Sequence, residues 1–361
     1  MFPLMKQEID WARLKRPDDV AYYRVFDTIR ERGCGHFLHG VAVEEFEGRL
    51  AVCFAFNEGD ENSVTERLMV CWSPDGGHSW TRPERIGVPA SHADSHSVFL
   101  VRGGELWCFG PRFYGLGAPP LTAKGRQAIH FRDLRMQAWR YAQGEWQEMG
   151  VVGGDFWPLG RPELMEDGNY LIPGCDEYWM GAVAVSQGQD LTRWEIVKLD
   201  TGGEVFTEAG AWIQGRKVLA VLRNQSVPTQ GRYHAAVALS EDFGRSFSQC
   251  QLSNLPMATT KPFCGRLSDG RPYLVFNQSV EGAPHDRSRM ILGVGEPGEM
   301  AIRRAWLLDE GAEYQGRRLG LSYPYARQAG GTLYVAYSYE SEPGKGNHND
   351  AMLAALDVSA I

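Results

Sequence analysis

Short apolar stretches separated by glycine-centred turns run along the whole chain, a pattern that predicts β-hairpins rather than helices. Six hairpins share this form, each with two apolar strands around one turn glycine. Successive turn glycines lie 56, 64, 47, 55 and 61 residues apart, in the order Gly48, Gly104, Gly168, Gly215, Gly270 and Gly331. A period of this length is typical of a four-stranded propeller blade with loops of variable length.

The period predicts an all-β chain, a single six-bladed β-propeller of four-stranded antiparallel blades spanning residues 1–361. A second hairpin follows most of the six, but the last unit is short of its outermost strand. Residues 22–29 have a strand pattern, and we expect them to supply that strand from the N-terminus. The ring would then close and leave no open sheet edge. Seven blades is the alternative count.

A turn motif, Ser-x-Asp-x-Gly-x-x-(Trp/Phe), occurs twice, over residues 73–80 and 240–247. Each copy follows an apolar strand, and residues 186–194 form a decayed third copy. Serine and aspartate side chains can bond the backbone N–H groups of their own turn, and glycine permits a positive φ. The terminal aromatic can pin the turn against the sheet. The motif therefore predicts a hairpin device that recurs between blades.

Composition bears on partners and compartment. The net charge of −8 argues against nucleic acid or an anionic membrane as partner. No apolar run reaches the roughly 18–20 residues of a membrane span, and the N-terminus has no secretory pattern. The seven cysteines, Cys34 among them, include no CxxC pair and favour buried free thiols in a reducing compartment. We expect a cytoplasmic protein with no cofactor and no metal; its oligomeric state stays open.

Two histidines enter predicted inner strands in the same phase. His39 and His96 both stand in the pattern His-x-Val-x-(Val/Leu), so their side chains should face one central funnel. Imidazole titrates near neutrality and can take or give a proton. One such histidine alone would equally suit a structural role, and the matching phase is what favours chemistry.

Other polar and aromatic residues are expected around the same funnel. Arginine can hold a substrate carboxylate by a bidentate pair, and carboxylates suit acid–base work. Glu208 and Arg223 would also suit a structural ion pair. The candidates are Trp157, Arg161, Glu163, Glu208, Arg223, Lys261, Arg287, Arg289, Tyr323 and Tyr325, with the loop residues Glu58, Asp60, Glu61, Asn62, Arg112 and Tyr114.

The repeated turn resembles the Asp-box (BNR) repeat of the sialidase superfamily, and the likeness covers the whole chain as a repeat architecture. The resemblance implies a β-propeller that cleaves or binds glycans. It also implies roles for particular residues: Glu208 and Arg223 match a glutamate and an arginine of the fourth hairpin, Tyr323 approximates the nucleophilic tyrosine, Asp60 or Glu61 the acid catalyst, and Arg287 or Arg289 a carboxylate-binding arginine.

One departure from that family lies at the first inner strand. Sialidases carry Phe-Arg-Ile-Pro there, whereas this chain has Phe37-Leu38-His39-Gly40, so one carboxylate-binding arginine is missing. The change resembles the sialidase-like α-L-rhamnosidases acting on rhamnosyl-glucuronate and the lyases acting on rhamnose–uronate linkages. In those enzymes histidines near the funnel carry out the proton chemistry.

The leading hypothesis is a glycosidase that cleaves the non-reducing end of an acidic, uronate-containing oligosaccharide. His39 would be general base or acid with His96 as partner. A lyase working by β-elimination and a non-catalytic glycan-binding propeller are the alternatives. The expected catalytic residues are His39, His96, Tyr323, Glu208 and Asp60, and the expected substrate-binding residues are Arg223, Arg161, Arg112, Tyr114, Trp157, Lys261 and Arg289.

Overall fold

The structure is a computed structural model, and it describes residues 1–32, 36–57, 59–226, 228, 231–283, 285–342 and 347–361. Cys34 and Glu58 lie outside the described residues. The other six cysteines are free thiols, five of them buried. Within the described ranges, no helix has the length and apolar character needed to cross a membrane.

Six antiparallel blades of four strands make up the fold, as the glycine period predicts. The innermost strand of blades 2 and 3 is broken into two short segments. From the innermost strand outward, the strands are: blade 1, Phe37–Phe46, Arg49–Asn57, Arg67–Ser73 and Glu84–Arg85; blade 2, Ala93–Asp94 with Val98–Arg102, Glu105–Phe113, Arg135–Ala142 and Glu145–Gly154; blade 3, Phe156–Pro158 with Glu163–Leu164, Tyr170–Asp176, Gly181–Gln187 and Asp190–Lys198; blade 4, Phe206–Gln214, Lys217–Asn224, His234–Ser240 and Gln251–Pro256; blade 5, Phe263–Arg266, Pro272–Asn277, Arg289–Val294 and Arg304–Glu310; blade 6, Leu321–Ala329, Thr332–Glu340, Asn349–Asp357 and Ala21–Phe26.

The blades form a closed ring because the inner strand of blade 6 packs against the inner strand of blade 1. The N-terminal strand Ala21–Phe26 pairs antiparallel with Asn349–Asp357, so one blade contains both ends of the chain. The remaining elements are short: the helix Thr28–Arg32, the 3₁₀ turns Trp11–Arg13 and Val358–Ala360, and a small hairpin of Glu313–Tyr314 with Arg317–Arg318.

Packing between blades buries most of the apolar residues that define the strand pattern in the sequence. The central strands of each blade are buried on both faces, because neighbouring blades cover them. Large aromatic rings fill the wedge-shaped spaces, with Trp139, Trp212 and Tyr337 at most 1% exposed. A core distributed in this way leaves the ends of the inner strands free to carry polar residues around the axis.

The two full turn motifs make the same hydrogen bonds. In the first, Asp75 accepts from Ser79 N at 2.8 Å and from Ser79 Oγ at 2.6 Å, and Ser73 Oγ accepts from Gly77 N at 2.8 Å. In the second, Asp242 accepts from Ser246 N at 2.9 Å. The serine hydrogen bonds lower the pKa of both aspartates to about 2. The aspartate is therefore the centre of each turn.

We expect these aspartates to make stability depend on pH in the acid range. Their folded pKa lies below the ordinary value of about 3.9, so the stabilisation is complete above that value and is lost as pH falls towards about 2. The double variant Asp75→Asn, Asp242→Asn should have a lower Tm at neutral pH and a shallower decline of Tm between these limits. Asp18→Asn, at an exposed site, is the matched control. Parallel Tm–pH curves for wild type and double variant would contradict this account.

Candidate active site

Three inner strands depart from regular pairing at the point where they reach the axis. Register shifts of the β-bulge type occur in blade 1 beside His39, in blade 4 at Glu208 and in blade 6 at Tyr323. Glu208 has φ of +36° and Tyr323 has φ of +56°, values that side-chain-bearing residues rarely adopt. Bulges of this kind re-aim a side chain, and strained backbone of this kind clusters at functional sites.

Gly40 completes the bulge in blade 1 and makes room for His96. Its φ is +64°, and a Cβ at this position would lie 2.1 Å from Cγ of His96. Only glycine therefore allows the two histidine-bearing strands to approach this closely. Glycine therefore follows His39 in the sequence because His96, from another blade, occupies the space that a larger side chain would need.

A cavity of about 130 Å³ opens where these strands converge. It is smaller than the roughly 300–1,000 Å³ of pockets for drug-sized ligands, so it suits one sugar ring rather than a longer segment. Its wall is mixed, with polar residues from five blades and apolar residues mainly from blades 2 and 3. The lining residues are His39, Glu61, Asn62, His96, Ile129, Phe131, Trp157, Leu159, Cys175, Trp179, Glu208, Arg223, Arg287, Tyr323 and Asn347.

Tyr323, Glu208 and Arg223 form a buried triad at the base of this pocket. The Tyr323 hydroxyl donates to Glu208 Oε1, and Arg223 Nη1 donates to Glu208 Oε2 at 2.8 Å. Burial raises the pKa of Tyr323 well above its usual value, and the charge of Glu208 adds to this. Burial would also raise the pKa of Glu208, but Arg223 and the hydrogen bonds to the carboxylate outweigh it and lower this pKa. At rest the triad is a phenol, a carboxylate and a guanidinium.

Trp179 holds the triad from the side. It stands in a tight turn with φ of +68°, where the Asp176 carboxylate accepts from the N–H groups of Tyr178 and Met180, both at 2.9 Å. The indole lies under the Arg223 guanidinium, 4.6 Å from its Cζ, and also hydrogen-bonds Glu208. A cation–π contact and a hydrogen bond from one residue fix both members of the ion pair.

His39 and His96 flank Tyr323. The ring centres of His39 and Tyr323 lie 3.9 Å apart, those of His96 and Tyr323 5.6 Å, and those of the two histidines 6.1 Å. Burial lowers the pKa of His39 well below 6.5, and nearby His96 and Arg287 add to the effect. Burial and Lys261 lower the pKa of His96 to about 3. Both imidazoles are therefore neutral at neutral pH.

Two further cations lie at or behind the wall. Arg287 lines the pocket and donates from Nη2 to the carbonyl of Thr259 at 2.9 Å; among the described residues this is the one hydrogen bond of its guanidinium, which has further N–H donors. Lys261 is 3% exposed and donates to the carbonyls of Leu159 at 3.1 Å and Pro324 at 2.7 Å. Burial lowers the pKa of Lys261 to about 7. The pocket therefore favours an anionic ligand.

The loop after the second strand of blade 1 brings Glu61 to the mouth of the pocket. Glu61 accepts from Asn347 Nδ2 at 2.7 Å, and the residue remains open to solvent although protein surrounds the carboxylate on most sides. That surrounding protein raises the pKa of Glu61, against the hydrogen bond from Asn347. Glu66, which is buried, accepts from Asn62 N and so anchors the same loop.

The structure brings six of the expected site residues together in this pocket. They come from blades 1, 2, 3, 4 and 6, and they are His39, His96, Trp157, Glu208, Arg223 and Tyr323. Lys261 lies immediately behind the wall. Arg287 and Glu61, each expected as one member of a pair, also line the pocket.

Five expected residues lie away from the pocket. Asp60 is exposed next to Glu61 and does not line the pocket; its backbone carbonyl accepts from Asn57 Nδ2 at 2.8 Å. Arg112 is held by Asp94 at 2.8 Å and Glu148 at 2.8 Å. Tyr114 is 38% exposed and stands beside His92.

The other two are also held elsewhere. Arg161 pairs with Glu44 at 3.3 Å, in a group with Arg327. Arg289 donates to Gln278 at 2.7 Å and to the carbonyl of Trp11 at 3.0 Å. In each case local acceptors hold the guanidinium outside the funnel.

Sequence reasoning did not find Trp179, Asn347 or, apart from Trp157, the apolar wall. The wall residues Ile129 and Phe131 come from the long loop between the second and third strands of blade 2, which has no strand pattern of its own. For Trp179 the only signal is the Asp-x-x-Trp turn, whose aspartate caps two N–H groups.

Comparison with known proteins agrees with this architecture. Residues 158–335 match the family model of the BNR repeat-like domain. A protein of unknown function from Dyadobacter fermentans superimposes with a TM-score of 0.68 at 16% identity, over 94% of this chain and 99% of that one. The microbial sialidase Hz136 gives 0.67 at 15% identity, over 94% and 69% of the two chains. A sialidase of Trypanosoma rangeli, solved in complex with sialic acid, gives 0.66 at 11% identity, over 96% and 60%.

Comparison with curated protein sequences gives no significant match. At these sequence identities, the structural similarity is evidence for the fold alone. The match to the BNR repeat-like model spans just under half of the chain, and the chain as a whole has the β-propeller fold of these sialidases. The T. rangeli protein extends well beyond the length that this chain spans.

The packing of Gly40 against His96 predicts a specific defect in Gly40→Ala. Gly48→Ala is a matched control, because Gly48 has a similar φ of +72° but open space around it. Each change should cost about 1–2 kcal/mol for the left-handed backbone. Gly40→Ala should cost about 1–3 kcal/mol more, since its Cβ displaces the His96 ring. Denaturant unfolding of both variants measures the difference, and equal losses would show that the His96 contact is not limiting.

Proposed function

We propose that the protein is a glycoside hydrolase that removes a terminal acidic sugar, a uronate or a related carboxylate-bearing ring, from an oligosaccharide. The observation that carries this proposal is the buried Tyr323–Glu208–Arg223 triad at the base of a pocket of single-ring size. The structural neighbours that are sialidases support hydrolase chemistry, because the T. rangeli enzyme was also solved as a covalent intermediate with 2,3-difluorosialic acid.

Tyr323 is the proposed nucleophile. Its phenol donates to Glu208, so the proton can pass to that carboxylate as the phenolic oxygen attacks the anomeric carbon. Arg223 keeps Glu208 ionised before the attack and remains bonded to it at 2.8 Å. The intermediate would be a covalent aryl glycoside that joins the anomeric carbon to the phenolic oxygen of Tyr323. Water then displaces that oxygen, which regains its proton from Glu208, and the two displacements together retain the configuration.

Glu61 is the proposed acid for the leaving group. It stands at the mouth, where the rest of the oligosaccharide would leave the pocket, and its pKa is raised by the surrounding protein. A carboxyl group with a raised pKa keeps its proton closer to neutral pH, as a general acid requires. It replaces Asp60 in this role, since Glu61 lines the pocket and Asp60 does not.

Arg287 is the proposed partner of the substrate carboxylate. It lines the pocket, it forms no ion pair with a carboxylate among the described residues, and the neutral His39 lies close enough to feel its charge. The buried Lys261 adds positive potential behind His96. A charged, single-ring substrate held at its non-reducing end fits this wall better than a neutral chain that passes through.

The two histidines beside Tyr323 favour a second candidate, β-elimination at a uronate. A lyase needs a base for the α-proton, a proton for the leaving group and a neutralised carboxylate, for which His39, Tyr323 and Arg287 are placed in one pocket. A panel of sialyl, glucuronyl, rhamnosyl-glucuronate and ulvan-type oligosaccharides separates the two reactions. Hydrolysis releases a saturated sugar, and elimination creates the ultraviolet absorbance of an unsaturated uronate.

We expect Tyr323→Phe and Glu208→Gln to lower kcat by about 10²–10⁴-fold on whichever substrate of that panel is turned over. Tyr325→Phe is the matched control, because Tyr325 is also buried but its hydroxyl lies 3.4 Å from the carbonyl of Phe99. The control should keep its activity. Full turnover by Tyr323→Phe would remove the nucleophile from this mechanism, and no turnover of any acidic glycan by wild type would leave only a binding role.

The raised pKa of Glu61 predicts the alkaline limb of the pH–rate profile. Activity needs the protonated acid, so it should fall as pH rises through that pKa. In Glu61→Gln this limb should disappear together with most of the activity on natural glycosides. An aryl glycoside, whose leaving group needs no proton, should be cleaved at a rate close to that of wild type. Asp60→Asn is the control, and an unchanged profile in Glu61→Gln would exclude Glu61 as the acid.

A further inference from the structure

Asn349 lies directly behind His39, at the start of the third strand of blade 6. It is 4% exposed, and its Nδ2 donates to the carbonyl of Leu38 at 2.6 Å. A carbonyl can accept only from the nitrogen of an amide, so this bond fixes which way round the Asn349 side chain lies. The same Nδ2 lies 3.4 Å from Nδ1 of His39.

We infer that Asn349 fixes the tautomer of His39, so that the ring carries its proton on Nε2 and presents an N–H donor to the pocket. The amide nitrogen has no lone pair to offer, so Nδ1 of His39 must act as the acceptor. A proton on Nδ1 would place two donors head to head in the core, which buried polar groups avoid. Nε2 is then the nitrogen left for a ligand, on a ring that lines the pocket.

The surrounding charges keep His39 neutral, so that the choice between tautomers matters. His96, Arg287, Arg223 and Lys261 all act against a positive imidazole, in addition to its burial. The carboxylates of Glu208 and Glu61 face the same pocket, but each has an arginine or asparagine donor of its own. His39 therefore does not gain a second proton, and it cannot act as an imidazolium proton donor in catalysis.

This assignment changes the role of His39 from proton transfer to hydrogen bonding. A pocket-facing N–H cannot accept a proton, so His39 does not serve as the base of a β-elimination in this form. It can donate to a hydroxyl or carboxylate oxygen of the bound ring and so select substrates that carry an acceptor there. The tautomer follows from the geometry alone, whereas this role towards a sugar rests on the proposed function.

The direct test is nitrogen NMR of the intact protein, with ¹⁵N-labelled histidine and no substrate. Long-range ¹H–¹⁵N spectra distinguish a protonated ring nitrogen from a bare one, and His39→Gln identifies the His39 signals by their loss. We expect a protonated Nε2 and a bare Nδ1 at neutral pH. A protonated Nδ1 in the wild-type protein would overturn the inference, whether or not any glycan is turned over.

The role of Asn349 is tested by Asn349→Asp. A carboxylate accepts from Nδ1–H, so the proton should move to Nδ1 and the tautomer should reverse. Asn254→Asp is the matched control, because Asn254 also donates to a backbone carbonyl, that of Met5 at 3.0 Å, but in blade 4. An unchanged His39 tautomer in a folded Asn349→Asp protein would exclude Asn349 as the residue that fixes it.

Once a substrate is in hand, kinetics tests the donor role separately. Asn349→Asp and His39→Leu should each raise KM, with a loss of about tenfold or more in kcat/KM if the acceptor is charged. His39→Gln, whose amide keeps an N–H, should recover part of that loss. A fall in kcat with KM unchanged in all three variants would assign His39 to proton transfer instead.

Discussion

The ion pair between Glu208 and Arg223 is the interaction on which the site depends. Both residues are at most 5% exposed, and their side chains meet at 2.8 Å where blade 4 reaches the axis. Removing one partner of such a pair leaves an uncompensated charge in the core, at a cost of about 3–5 kcal/mol. Tyr323 and Trp179 contact the same two groups, so the pair links blades 3, 4 and 6 at the axis.

Backbone strain is what makes this convergence possible. Glu208, Tyr323 and Trp179 all have positive φ; the first two stand at bulges that interrupt strand pairing, and Trp179 stands in a turn. In a regular strand, alternate side chains point into the apolar packing between blades, where a polar group would have no partner. Rotating the backbone at these points turns the side chains into the funnel. The strained conformations persist because the ion pair and its hydrogen bonds hold them in place.

The repeat architecture was predictable from the sequence because it rests on local signals. Turn glycines and strand alternation act within about ten residues, and the phase of His39 and His96 follows from a period of two. Which side chains at the strand ends reach the axis was harder to predict. Arg112 and Arg161 lie near inner strands, but Asp94 and Glu44 hold them elsewhere, and such side-chain pairings leave no sequence pattern. The choice of Glu61 over Asp60 depends on the path of one loop.

Burial explains why His39 and His96 are neutral at a site where acid–base chemistry was expected. A closed ring of blades excludes water from the axis, and this desolvation disfavours a charged imidazole more strongly than any neighbour does. The arginines keep their charge, because guanidinium groups are ionised even when buried. Lys261, whose Nζ is bonded to two carbonyls rather than to a carboxylate, lies between these extremes with a pKa of about 7. Positive potential in the pocket thus comes from arginine and lysine rather than from the histidines.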